Sequence, residues 1–130
     1  MFQSIASISI GAATGATLRW LLGLWLPAQA NWPALGTLAA NFGGAYLIGI
    51  SAALFSLFPS SNPNLKLLLI TGFLGSFTTF SAFSLEVVQM LQAQRLLQAA
   101  LTISLHVFGS VLLTALGLWT VSAVRSILQT

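Results

Sequence analysis

Four long apolar runs, at about residues 2–26, 34–58, 65–90 and 96–128, occupy nearly all of this 130-residue chain and are parted only by short polar breaks. Each matches or exceeds the ~20 apolar residues that carry an α-helix across a bilayer. Within lipid no water is available to pair backbone N–H and C=O groups, so spans of this kind fold as helices that pair their own. The expected fold is an all-α integral membrane protein of four transmembrane helices in one domain over residues 1–130. Residues are 57% hydrophobic and 4% charged, against about 25% charged in a soluble domain. The opening run lacks the basic start and short apolar core of a cleavable signal, and is read as a retained helix.

The breaks are chemically distinct. Pro27 to Pro33 and Pro59 to Asn64 each begin with a proline and hold a second one, where helices cannot continue. Gln92-Ala93-Gln94-Arg95 is polar but has neither Gly nor Pro, so that boundary is the least sharply marked. Small residues recur at helical spacing: Gly11 and Gly15, then Gly36, Gly43, Gly44 and Gly49, then Gly109 and Gly117. In lipid, where apolar burial no longer drives association, such positions let backbones approach and pack.

Reactive groups are few. The chain has no Cys, Glu86 as its one carboxylate side chain, His106 as its one histidine, and Arg19, Lys66, Arg95 and Arg125 as its basic residues. Zinc sites want three or four His, Cys or carboxylate ligands and acid/base catalysis wants paired titrating groups, so an enzyme is not expected. The net charge of +3 is dispersed and forms no stripe for nucleic acid. With four spans, Lys66 and Arg125 fall on one side of the membrane, Arg95 and Arg19 on the other. Orientation follows an excess of Lys and Arg on the cytoplasmic side, and here none exists. A chain without bias can insert both ways, and opposite copies can pair about an axis in the membrane plane, as inverted repeats do within larger transporters.

The third run contains Gly72-Phe73-Leu74-Gly75-Ser76-Phe77-Thr78-Thr79-Phe80-Ser81-Ala82-Phe83-Ser84. Glycine and β-branched threonine lower helix propensity. This stretch either unwinds, freeing carbonyls that suit a small hard cation, or stays helical with its hydroxyls bonded back one turn. Phe80 and Phe83 share a helix face. Such a pair serves packing or, beside Thr79, Ser81 and Ser84, offers positive ring edges and hydroxyl donors to a small anion. Thr37 and Asn41 share a face in the second run, and Thr102, His106, Ser110 and Thr114 recur at a spacing of four in the fourth. That stripe is either a pore lining or a set of interhelical hydrogen bonds. His106 is a polar wall residue in this reading, with no second His or nearby carboxylate to make a proton relay. Glu86 is a vestibule residue or a salt-bridge partner. Arg19, followed by Trp20 and Trp25, either anchors at the interface or concentrates anions and fixes a subunit pair.

Taken jointly, Gly15-Ala16-Thr17-Leu18-Arg19-Trp20, Gly36-Thr37-Leu38 with Asn41 and Gly44, Thr71 to Gly75 with Thr78 to Ser84, and Gly109-Ser110 resemble the Fluc (CrcB-type) fluoride channels of microorganisms over essentially the whole chain. The resemblance implies an antiparallel dual-topology homodimer in the bacterial plasma (inner) membrane, with two pores and a third helix broken at mid-membrane. It further implies a structural sodium ion at the dimer interface, held by carbonyls of Gly75 and Thr78. Fluoride would pass Asn41, Phe80, Ser81, Phe83 and Ser110, with His106 toward a vestibule, and Asn41, Ser81 and Ser110 would donate hydrogen bonds to it. Ala82 and Ser76 depart from the family, which usually has Thr and often Gly there. The alternative is a dual-topology small-molecule or proton-coupled exporter, although exporters of this size depend on a carboxylate in the first helix, which this chain lacks.

Overall fold

The computed structural model describes residues 1–27 and 33–129; the part of the first break at residues 28–32, expected to separate helices, lies outside them. Four helical spans are long and apolar enough to cross a membrane: Phe2–Trp25, Leu35–Leu57, Pro63–Gln92 and Leu96–Leu128. The first two are the unbroken helices α1 (Phe2–Trp25) and α2 (Leu35–Leu57). The third contains α3 (Pro63–Lys66), a π-helical stretch at Leu67–Leu74, α4 (Gly75–Phe77) and α5 (Phe80–Gln92). The fourth contains α6 (Leu96–Ser104), a second π stretch at Leu105–Gly109, and α7 (Ser110–Leu128).

Local chemistry sets the ends. Asn62 caps α3 by accepting from the Asn64 amide at 2.9 Å, and Pro63 takes the first helical position, where its missing N–H costs nothing. The polar break after α5 closes without glycine: Gln94 adopts φ 57°, its amide donates to the Leu91 carbonyl at 3.0 Å, and the Arg95 amide reaches back to the Met90 carbonyl at 2.8 Å. This is the hydrogen-bond pattern of a Schellman cap, built here on a residue that pays for the left-handed conformation.

Packing pairs the first span with the first half of the third, and the second span with α7. Glycines face each other at both crossings: Gly11 against Gly72, and Gly49 against Gly117. A Cβ on Gly117 would fall 3.1 Å from the Gly49 Cα and 3.0 Å from the Ile50 amide nitrogen, so the backbones themselves are in contact. Most large apolar side chains lie on the outside, Ile10, Trp20, Leu97, Val111 and Trp119 among them. The interior is small, holding Ala40, Ala45, Leu74, Phe77, Phe83, Val87 and Ala99 together with two polar residues, Thr102 and His106. That inversion is what a lipid-facing bundle requires.

Candidate functional site: a polar, ring-lined groove

The site begins at two non-helical residues within the third span. Thr78 (φ −82°, ψ 157°) and Thr79 (φ −151°, ψ 116°) are extended, separating α4 from α5. In a continuous helix the Thr79 amide would bond the Gly75 carbonyl and the Ala82 amide the Thr78 carbonyl. Instead the Thr79 amide donates to Asn41 Oδ1 at 2.7 Å, and the Ala82 amide donates to Thr79 Oγ1 at 3.2 Å, which makes Thr79 the N-cap of α5. The Thr79 carbonyl accepts from Asn41 Nδ2 at 3.0 Å. Arg19 Nε donates to the Ser76 carbonyl at 3.0 Å. Two of the carbonyls around the extended pair are thereby engaged by side chains from other spans, while those of Gly75 and Thr78 lose the donors that a regular helix would supply.

Above this clamp sits a ladder of rings. Phe80 and Phe83 meet edge to face, centroids 5.4 Å apart at 64°, and Phe83 stacks on the His106 imidazole at 4.5 Å and 27°. Phe83 is 7% exposed, Phe80 77%. His106 is buried, and its Nδ1 lies 3.1 Å from Asn41 Nδ2. One groove of about 490 Å³ is walled by Asn41, Gly75, Thr78, Phe80, Phe83, His106 and Ser110, so all the sequence-derived site residues except Ser81 share it. Ser81 is exposed, with its hydroxyl 3.4 Å from that of Thr79. No charged side chain lines the groove.

The stripe on the fourth span divides by role. Thr114 donates to the Ala45 carbonyl at 3.0 Å and Thr102 is directed to the Met90 sulfur at 3.5 Å, which is interhelical bonding. His106 and Ser110 lie between them on the groove wall, which Thr114 also lines. Glu86 accepts from Thr37 Oγ1 at 2.6 Å, and its second oxygen, Oε2, is buried without a hydrogen-bond partner. Neither this pair nor the Arg19 bond to the Ser76 carbonyl was legible in the sequence, since both join residues 49 or more apart. Among the described residues no three His, Cys, Asp or Glu side chains gather into a metal site.

The arrangement defines a class: a small polytopic membrane protein whose uncharged groove presents amide, hydroxyl and ring-edge groups. Comparison with known proteins narrows it. The family model described as "CrcB-like protein, Camphor Resistance (CrcB)" matches residues 6–118, and the chain belongs to that family. It is 50% identical over 129 residues to a protein of Chromohalobacter salexigens named fluoride-specific ion channel FluC, covering 98% of this chain and 96% of the relative. A protein of Neisseria meningitidis with the same name is 54% identical over 125 residues, covering 96% of this chain and all of the relative. Another, of Desulfovibrio desulfuricans, is 48% identical over 126 residues, covering 97% and 98%.

Proposed function

We propose that the protein is a passive fluoride channel of the bacterial plasma membrane, working as an antiparallel homodimer with two pores, and that it is not an enzyme. The observation that carries this reading is the uncharged groove, in a chain about half identical, over nearly its whole length, to proteins named as fluoride channels. Fluoride holds its water tightly, and a conducting path must replace that hydration without trapping the ion. Ring edges of Phe80 and Phe83, with polar groups on Asn41, His106 and Ser110, offer partial positive charge but no fixed cation. Phe80 is largely uncovered in the single chain, which suits closure of the groove by a second copy. The even split of basic residues across the membrane suits insertion in both orientations.

The Gly75 and Thr78 carbonyls, deprived of helical donors, fit a monovalent hard cation. In the dimer, two such carbonyls from each copy would hold one sodium ion at mid-membrane, where it would supply a fixed positive charge between the pores. Arg19 and Asn41 set the neighbouring carbonyls of Ser76 and Thr79 by hydrogen bonds of 3.0 Å each.

Fluoride efflux from liposomes holding only the purified protein tests the reading. Passive efflux without a proton gradient is the expected result. Flux that requires a proton gradient would establish an exporter instead, and no flux would leave neither. A variant biased to one orientation by several lysines in one loop should conduct only when mixed with its oppositely biased counterpart.

A further inference from the structure

α2 and α7 touch at Gly49 and Gly117, and between their C-terminal ends lies a cleft of about 510 Å³ that shares no lining residue with the groove. Its walls are hydrocarbon: Leu54 and Leu57 come from α2, and Val121, Val124 and Leu128 from α7. At the inner end the polar atoms already have partners. Thr120 Oγ1 donates to the Leu116 carbonyl at 2.8 Å and lies 3.1 Å from the Tyr46 hydroxyl. From Thr120 to Leu128 the helix rises ~12 Å, against ~15 Å for half of a hydrocarbon core ~30 Å thick. The cleft is therefore about one leaflet deep, and nothing inside it calls for water.

The mouth is different. Arg125, exposed in the last turn of α7, is the one charged side chain on the wall among the described residues. The chain has a single carboxylate side chain, Glu86, and it is bonded to Thr37. Thr37 stands at the opposite end of α2 from Leu57, ~30 Å away by helical rise. No acidic side chain of this protein reaches the guanidinium, so its counter-ion comes from outside.

We infer that this cleft is a binding site for one anionic phospholipid, with an acyl chain between α2 and α7 and the headgroup phosphate on Arg125. A guanidinium fork matches phosphate oxygens with two parallel hydrogen bonds. A zwitterionic lipid would bring a second cation to a mouth with no carboxylate to receive it, and an anionic one would not. An acyl chain also supplies the dispersion contacts that an unfilled cleft forfeits. The site requires only that the chain spans a membrane, whatever it conducts. In an antiparallel pair the two copies would present it to opposite leaflets.

Native mass spectrometry of the purified protein, titrated in detergent with phosphatidylglycerol or with phosphatidylcholine of the same acyl chains, reads the occupancy. The parent should retain phosphatidylglycerol about fivefold better, the effect of one basic residue beside an anionic headgroup. Arg125→Gln should lose that preference while still retaining phosphatidylcholine, and Lys66→Gln, on the same side of the membrane, should keep it. Val124→Trp, which fills the cleft, should retain less of either lipid. Equal retention of both lipids by the parent, or an undiminished preference in Arg125→Gln, would overturn the site. An equal loss of preference in Lys66→Gln would overturn it in favour of diffuse surface charge. Displacement of phosphatidylglycerol by inorganic phosphate would overturn it in favour of an anion site that holds no acyl chain. A changed oligomeric state in Val124→Trp would overturn it in favour of contact between copies.

Discussion

Asn41 grips both sides of a single peptide residue, accepting the Thr79 N–H at 2.7 Å and donating to the Thr79 carbonyl at 3.0 Å. One side chain of the second span thus does for Thr79 what a neighbouring β-strand would do. It satisfies an extended residue that, within lipid, has no water to bond. Thr79 keeps its extended backbone because both its N–H and its carbonyl have a partner in the second span, and the groove lies beside this interruption of the helix.

Phe80→Ile and Phe83→Ile keep bulk and remove the ring edge. Loss of one favourable ring contact, ~1.4 kcal/mol, corresponds to about tenfold in rate or affinity. Each variant is expected to lower fluoride efflux by at least that factor while eluting as the parent does on size exclusion. Parent-level efflux in both would return the rings to a packing role.

At the Gly49–Gly117 crossing the backbones touch, and Gly117→Val puts branched carbon where Ile50 N stands 3.0 Å and Gly49 Cα 3.1 Å from the first added atom. Overpacking of this kind costs ~1–3 kcal/mol or more. A lower unfolding temperature in detergent is expected. Gly23→Ala, in the last turn of α1, is the contrasting case: nothing lies within 4 Å of the added Cβ, and replacing a helical glycine should stabilise by up to about 0.5–1 kcal/mol.

Gln94 sits at φ 57° with the cap bonds already in place. A side chain in the left-handed region costs roughly 1–2 kcal/mol that glycine does not pay. Gln94→Gly should therefore raise the unfolding temperature without altering efflux. A decrease would mean that the Gln94 side chain contributes more than its backbone costs.

If the Gly75 and Thr78 carbonyls hold sodium, thorough replacement of sodium by a bulky organic cation should abolish efflux, and returning sodium should restore it. Unfilled carbonyls at membrane depth cost several kcal/mol each, so the unfolding temperature should fall on the same exchange. Unchanged efflux and stability after exchange would remove the site.

Much of the architecture could be read from the sequence because its cause is local. Span length and the proline-marked breaks follow from composition and neighbouring residues, although the third span starts at Pro63, two residues before the run expected from Leu65. The face shared by Phe80 and Phe83, and the wall that holds His106 and Ser110, follow from helical spacing. The Asn41–Thr79 clamp, the Thr37–Glu86 pair and the Arg19 bond to Ser76 do not, because each depends on how separate spans dock. Gln94 was hard to mark as a terminus for another reason: it does the work of a glycine without being one. The bonds made by the fourth-span stripe also needed neighbours, since those of Thr102 and Thr114 reach Met90 and Ala45 on other spans.

The π stretch at Leu105–Gly109 bears on how this gene can change. A spacing of four overshoots the α-helical turn of about 3.6 residues, so a four-residue stripe drifts round a plain α-helix. The wider π turn, closing i to i+5, compensates by taking in an extra residue. His106, Ser110 and Thr114 thereby stay on one wall. In genetic terms the stretch accommodates one codon more than a plain α-helix would hold there. Deleting a single codon there would let the stretch close to a plain α-helix, acceptable to the membrane, with the residues downstream kept in register. Loss of a codon is therefore absorbed at Leu105–Gly109, whereas the same loss from the regular helix of α7 would turn every residue downstream by about 100°.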